Sequence, residues 1–315
     1  MKDMSLAEEY TGTDGDSRLS QSVAHLRRNR RAYLLIAPAA VFLLAVVGYP
    51  ILETFRLSLY RSPADSTIET FVGLQHYVEI VNSDIFYRLI WQTGRWVLVG
   101  VAGKTLLGLL IAVHLKGDIK GRKFFRTAFL IPWGIPYAIS AVVFRWIEHP
   151  QFGYLNAVLL KLGVIEQGIG ILGNPDIAWL GVVVADIWIG TPFMAIIFLA
   201  GLQSIPQDLY EAAAIDGAER WHQFRYITLP QLKSVILMAT LLSTIWTFVS
   251  FDVIWTMTGG GPISTTATLV IHIYQVGLQN GNLGRGAAYS VIGFLFLLLF
   301  AIVYLRVYTR GGDEL

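Results

Sequence analysis

Six long apolar segments, at roughly 33–59, 89–115, 124–147, 177–202, 232–255 and 286–307, constrain this chain more than any other feature. A helix needs about 20 mostly apolar residues to cross the hydrocarbon core of a bilayer, and each window supplies them. Composition agrees. The chain is 54% hydrophobic and 15% charged, with a mean hydropathy of +0.55, where soluble domains carry about a quarter charged residues. Pro38, Pro50, Pro132, Pro136 and Pro192 fall inside the windows; membrane helices tolerate prolines because neighbouring helices re-satisfy the freed carbonyls. Five more apolar windows follow the first, so the first reads as a permanent span, not a cleaved signal peptide. The expected fold class is an all-α membrane protein with six transmembrane helices.

Lys and Arg counts set the direction of the spans. The segment before the first window holds Lys2, Arg18, Arg27, Arg28, Arg30 and Arg31, and the loop after the second holds Lys116, Lys120, Arg122, Lys123 and Arg126. Arg220, Arg225, Lys233, Arg306 and Arg310 fall on the same side, against Arg56, Arg61, Arg88, Arg145, Lys161 and Arg285 on the other. This excess places both termini in the cytoplasm of a multi-pass protein of a cell membrane. The outer loops, 60–88, 148–176 and 256–285, are too short for a separate domain. The expected organisation is a polar, disordered cytoplasmic tail over 1–30, one membrane domain over 31–310 and a short cytoplasmic tail over 311–315.

Several chemistries are disfavoured. A net charge of +2 argues against nucleic-acid binding. The absence of cysteine removes disulfides, thiolate metal sites and cysteine nucleophiles. The stretch "GVAGKT" at 100–105 imitates a phosphate-binding loop, but residue 98, where the first glycine would stand, is Leu98, and the stretch lies within an apolar span. The histidines are scattered without metal-ligand spacing, and no nucleophile–base constellation stands out. The chain therefore reads as a non-enzyme.

The polar stretch "SIPQDLYEAAAIDGAERWHQFRYITLP", 204–230, interrupts the apolar pattern on the cytoplasmic side. Ser204 and Gln207 have capping-box spacing, with Pro206 in the first turn. Leu209, Ala212, Ala213 and Asp216 follow at helical spacing, and the alanines let another surface approach closely. Gly217 can turn the chain. A second short helix carries Trp221, Phe224 and Arg225, and Pro230 restarts the next span. An interfacial helix lying on lipid is one reading. The acidic Glu211, Asp216 and Glu219 favour the other, a docking surface for a cytoplasmic partner.

The order Glu211-Ala212-Ala213, three residues, Gly217, nine residues, Ile227-x-Leu229-Pro230 resembles the EAA signature of bacterial and archaeal binding-protein-dependent ABC importer permeases. The resemblance implies that Glu211, Ala212, Ala213, Asp216, Gly217, Ile227, Leu229 and Pro230 form a coupling loop seated in a cleft of a separate ATPase subunit. It also implies a second homologous permease subunit, two ATPase subunits and an extracellular or periplasmic sugar-binding protein. No cofactor belongs to this chain under that reading, since ATP and Mg would sit on the ATPase. Two further segments, "DIWIGTPFMAIIFLAGLQ" from Asp186 and "FDVIWTMTGGGP" from Phe251, look like the carbohydrate-uptake, maltose-type branch of the family. The order of elements is similar to the first of its two non-identical permease subunits, and the Gly259-Gly260-Gly261-Pro262 turn would face the binding protein.

Ser243, Trp246, Thr247 and Ser250 recur at i, i+3, i+4 and i+7, one helical face. Spacing alone leaves open whether that face packs against other helices or lines an aqueous cavity. The maltose-type resemblance implies sugar contacts from those four residues and from Ile189, Gly190 and Phe193, with Trp188 and Gln203 as weaker candidates. Thr247 and Ser250 stand where the family type has longer amides, so the sugar or its pose differs. Asp186 and Asp252 are acidic groups in or near spans, solvated if they lie at the outer boundary. Arg95 and Lys104 either snorkel or pair, and Glu53 and Arg56 have pairing distance in sequence. The lack of Lys and Arg in the middle of spans four to six favours a neutral oligosaccharide, disaccharide or polyol over glycerol phosphate. An ion-driven secondary transporter is the alternative of a different class; it would require inverted repeats and paired intramembrane acids.

Overall fold

The computed structural model describes residues 30–64, 68–117 and 121–312. Residues 1–29 of the expected 1–30 tail, with Lys2, Arg18, Arg27 and Arg28, lie outside the described residues, as do Lys120 and 313–315 of the carboxyl-terminal tail; residue 30 begins a helix. The described chain divides into a unit up to Arg56 and a larger unit from Leu57 onward.

The first unit is a helical run made of α1 (Arg30–Leu43), a single π turn (Leu44–Gly48) and α2 (Tyr49–Leu57). Pro50 has no N–H to return to the preceding turn, and the π turn just before it absorbs that missing bond. The expected Glu53–Arg56 pair forms, with Arg56 Nη2 2.6 Å from Glu53 Oε1.

The second unit opens with a two-residue antiparallel pairing of β1 (Tyr60–Arg61) with β2 (Thr70–Phe71), followed by α3 (Gln75–Val81). Then comes α4 (Asp84–Lys116), 33 residues and so about 50 Å long. It packs along α8 (Ala178–Ser204) as the central helix pair of the unit. Glycines make the close approach possible. A Cβ on Gly103 would collide with Ile187, and one on Gly108 would lie 2.6 Å from Met194 Cβ and 3.0 Å from the Ala195 amide nitrogen. The glycines of the "GVAGKT" stretch thus serve close contacts in the interior of α4.

The third apolar window is broken. α5 (Arg122–Gly134) and α6 (Tyr137–Ile147) meet at Ile135 and Pro136 with a bend of 96°. One span was expected over this window; within it Pro136 takes an extended conformation and starts a new helix. A short α7 (Tyr154–Lys161) leads to α8.

The fifth window is shifted. Helix starts at α10 (Arg220–Gln223), passes through a π turn (Phe224–Thr228) and continues as α11 (Leu229–Phe248). It ends before the expected position 255. There the Ser250 N–H turns back to the Thr247 carbonyl at 3.3 Å, a three-residue closure in place of the helical four, and the same carbonyl accepts the Trp96 indole N–H at 2.9 Å. The chain restarts as α12 (Asp252–Thr258), followed by α13 (Leu269–Tyr274), a π turn (Gln275–Gln279) and α14 (Leu283–Gly312). Among the described residues five helices are long and apolar enough to cross a membrane, and the bent α5–α6 pair makes six when counted as one span.

Two apolar clusters form the core. One gathers Phe86, Leu89, Trp96, Val182, Ile189, Ile254, Leu269 and Tyr289. The other gathers Ala112, Leu115, Met194, Phe198, Leu202 and Leu232. Along α4 the clusters end at Trp96 and resume at Ala112, and the polar site lies in that interval.

Candidate functional site

Lys104 projects from α4 toward α8 and α11. Its Nζ lies 2.6 Å from Asp186 Oδ2, and it donates a hydrogen bond of 2.9 Å to Thr247 Oγ1. The Lys104 and Asp186 side chains are only 8% and 5% exposed. An isolated charge at this depth would be prohibitive; the pair makes both charges tolerable. Room for it is cut by two glycines, each one turn from one member. A Cβ on Gly190 would lie 2.8 Å from Lys104 Cδ and Cε, and one on Gly100 would lie 3.0 Å from Asp186 Oδ2.

This pair forms one wall of a narrow cleft that Gly190, Phe193, Ser243, Trp246, Thr247, Ser250 and Tyr137 also line. Phe193 stacks on Trp133 at 6.0 Å and meets Trp246 at 4.8 Å between ring centroids, giving an aromatic wall. Ser243 and Thr247 supply hydroxyls from α11. Ser250 lies just past the end of that helix, and its buried Oγ has no hydrogen-bond partner among the described residues. Ile189 is not part of this surface. It is 1% exposed and belongs to the apolar core. Trp188 packs against Phe144 instead, and Gln203 is exposed. Asp252 is exposed at the start of α12, as a solvated group should be, whereas Asp186 is buried. Arg95 lies over the Trp179 ring at 4.1 Å.

The sequence reading missed Lys104 as a lining residue. Spans four to six carry no Lys or Arg in their middle, and this cation reaches the cleft from the second span. The signal that could have found it is the matched pattern Gly100-x-x-x-Lys104 and Asp186-x-x-x-Gly190, a small residue one turn from each opposite charge.

A second surface is built on α9 (Gln207–Ile215). The expected Ser204 cap does not form. Ser204 ends α8, where its hydroxyl donates to the Gly201 carbonyl at 2.8 Å, and Pro206 precedes α9 without a side-chain cap. The other end is closed as expected. Gly217 has φ +80, Ala218 N–H donates to Ala213 O at 2.8 Å and Gly217 N–H to Ala214 O at 3.1 Å. This is the paired bonding of a Schellman stop. Lys116 Nζ sits 3.9 Å over the Tyr210 ring and Tyr210 Oη bonds Thr228 Oγ1 at 2.9 Å, so α9 is tied to the ends of two long helices. Ala213, Asp216, Gly217 and Ile227 border an open groove there, while Glu211 and Ala212 are exposed beside it. Leu229 and Pro230 begin α11 behind it. Ile215, Trp221 and Tyr226 are 86%, 66% and 72% exposed.

Residues 104–310 match the model of the family described as the inner membrane component of binding-protein-dependent transport systems. The chain belongs to this family. It is an ABC transporter permease subunit, and such permeases are not themselves enzymes. The permease is 38% identical to the trehalose/maltose transport system permease protein MalF of Thermococcus litoralis, over 93% of this chain and 98% of that one. It is 35% identical to the sulfoquinovosyl glycerol transport system permease protein SmoG of Agrobacterium fabrum, over 88% and 89% of the two chains. Its fold matches a chain of a bacterial ABC transporter involved in import of the acidic polysaccharide alginate, with a TM-score of 0.79, 22% identity and coverage of 92% and 99%.

Proposed function

We propose that this permease subunit forms half of the translocation pathway of an ATP-driven sugar importer, with an oligosaccharide or disaccharide as cargo. The observation that carries the reading is the cleft. The rings of Phe193, which stacks on Trp133, and of Trp246 line it together with Ser243, Thr247 and Ser250. Aromatic rings stack on the C–H faces of sugars, and hydroxyl rims bond their oxygens. Trehalose, maltose and sulfoquinovosyl glycerol appear in the names of its relatives, which supports the same class of cargo.

The rest of the machine follows from α9. Its exposed Glu211-Ala212-Ala213 face and Gly217 stop form a rigid projection braced to α4 and α11, suited to seat in an ATPase subunit and pass its motion inward. The assembly would hold a second homologous permease, two ATPase subunits and an external sugar-binding protein. ATP and Mg would be bound by the ATPases, with no cofactor on this chain. Both termini and α9 would face the cytoplasm, with 31–310 as a single membrane domain.

Purification from mild detergent tests this. The wild-type chain is expected to bring down an ATPase and a second permease, and Glu211→Lys to lose the ATPase or its stimulation by cargo. Sugar uptake should stop when ATP is depleted with the proton gradient held. Continued uptake under that condition would point to an ion-driven transporter and end the importer reading.

A further inference from the structure

The Lys104–Asp186 pair is not needed to join α4 to α8, because apolar side chains of the same volume would hold two helices as well or better. It stands on the wall of the cleft, where an intramembrane charge marks function before structure. Its geometry is prepared by Gly100 and Gly190, and Thr247 Oγ1 accepts an N–H of the ammonium. An ammonium has three N–H donors and a carboxylate has several acceptor positions, so each partner keeps bonding capacity for a ligand. The two charges cancel.

The names of the permease's relatives include both trehalose and maltose, which are neutral, and sulfoquinovosyl glycerol, which is acidic; kinship therefore does not choose between the two classes. Resting on the sugar reading above, we propose that Lys104 and Asp186 act as a charge-cancelled selector: they hydrogen-bond hydroxyls of a neutral saccharide and exclude an acidic one. A sugar carboxylate or sulfonate entering the cleft would meet the carboxylate of Asp186, and the charge of the Lys104 ammonium is already balanced by that carboxylate. Its lost hydration would have no counter-charge in return.

The test is direct binding to the whole permease–ATPase complex in nanodiscs, without the external binding protein, whose own selectivity would otherwise intervene. The probes are radiolabelled maltose and trehalose, and for each a derivative with one terminal hydroxymethyl oxidised to a carboxylate. Wild type is expected to hold a neutral disaccharide at least about tenfold more tightly than its acidic derivative. Asp186→Asn keeps the shape and frees Lys104, and should move that ratio about tenfold or more toward the acid. The Lys104→Met, Asp186→Asn double variant buries no charge; it should still refuse the acid and bind the neutral sugar several-fold more weakly. Wild type favouring the acid, or an unchanged ratio in Asp186→Asn, overturns the proposal. If the single variant does not assemble, the double variant decides, and neutral-sugar affinity equal to wild type overturns it. If no sugar of either class binds wild type while the ATPase stays attached, the sugar reading itself falls.

Discussion

Gly108 and Gly94 lie on the same long helix and make opposite demands. A Cβ at Gly108 would press on Met194 Cβ and on the backbone nitrogen of Ala195, and backbone cannot step aside; a Cβ at Gly94 meets nothing within 4 Å. Gly108→Ala should therefore cost about 1–3 kcal/mol by forcing α4 from α8. Gly94→Ala should be neutral or raise stability, since alanine is the better helix former by about 1 kcal/mol. Thermal melts of the two purified variants check the pair, and equal melting temperatures would refute the close packing. Glu148, just beyond α6, gives a residue-scale prediction for pH. It is buried against Gly181 and Ile171, and its Oε2 has no hydrogen-bond partner among the described residues. Burial pushes its carboxyl up to about 7 from an ordinary 4.5. The folded state thus holds this proton more tightly than the unfolded state does. Its contribution to stability is complete below pH 4.5 and is lost as pH rises through 7, a loss of roughly 3 kcal/mol. Glu148→Gln should flatten that part of the melting temperature against pH. A Gln variant with the wild-type slope between pH 5 and 8 would show that another group is responsible.

Elements differ in how far their own sequence determines them. α9 is a local object. Its alanines, Gly217 stop and polar flanks were legible because a helix end is decided by a few neighbouring residues, although the expected Ser204 cap lost out to a bond back into α8. Gly217 therefore carries an element-scale prediction. Its φ of +80 suits glycine, is tolerated by asparagine and is strained for β-branched residues, while the surrounding space is open. Coupled transport should fall in the order Gly, Asn, Val at this position, with a cost to the turn of about 1–2 kcal/mol for a non-glycine side chain. Membrane insertion should be unchanged. Sugar-dependent ATP hydrolysis in proteoliposomes reads the order; equal rates for Gly and Val would mean the stop does not transmit motion. The long helices were legible as windows and not as shapes. Hydropathy marks a span, but it does not report the 96° bend at Pro136 or the end of α11 at Phe248. The indole of Trp96 reaches the last turn of α11 from α4, and nothing near Thr247 in sequence announces that contact. The cleft was half legible for the same reason. The α11 face is a local pattern, and Gly190 and Phe193 were expected from the family resemblance, whereas Lys104 joins them only when α4 lies against α8.

At the scale of the whole molecule the bent α5–α6 pair decides which side of the membrane every later element faces. If the pair crosses as one broken span, there are six crossings, and α7 lies outside, α9 inside and the 259–268 turn outside. If it enters and leaves on one side, there are five, and each of those assignments reverses. The Lys and Arg distribution favours six, since five would put Arg220, Arg225 and Lys233 outside. The chain contains no cysteine, so single introduced thiols report position without background. Tyr154 in α7, Ile215 at the end of α9 and Ile263 in the glycine-rich turn are 74%, 86% and 81% exposed and make suitable sites. With a membrane-impermeant maleimide on intact cells, Tyr154→Cys and Ile263→Cys should react, and Ile215→Cys should react only after permeabilisation. The reverse pattern at all three would make α5–α6 a re-entrant hairpin. It would also put α9 on the side without ATP, and a coupling helix there could not touch an ATPase. One labelling experiment therefore tests the course of the chain through the bilayer and the mechanism that depends on it.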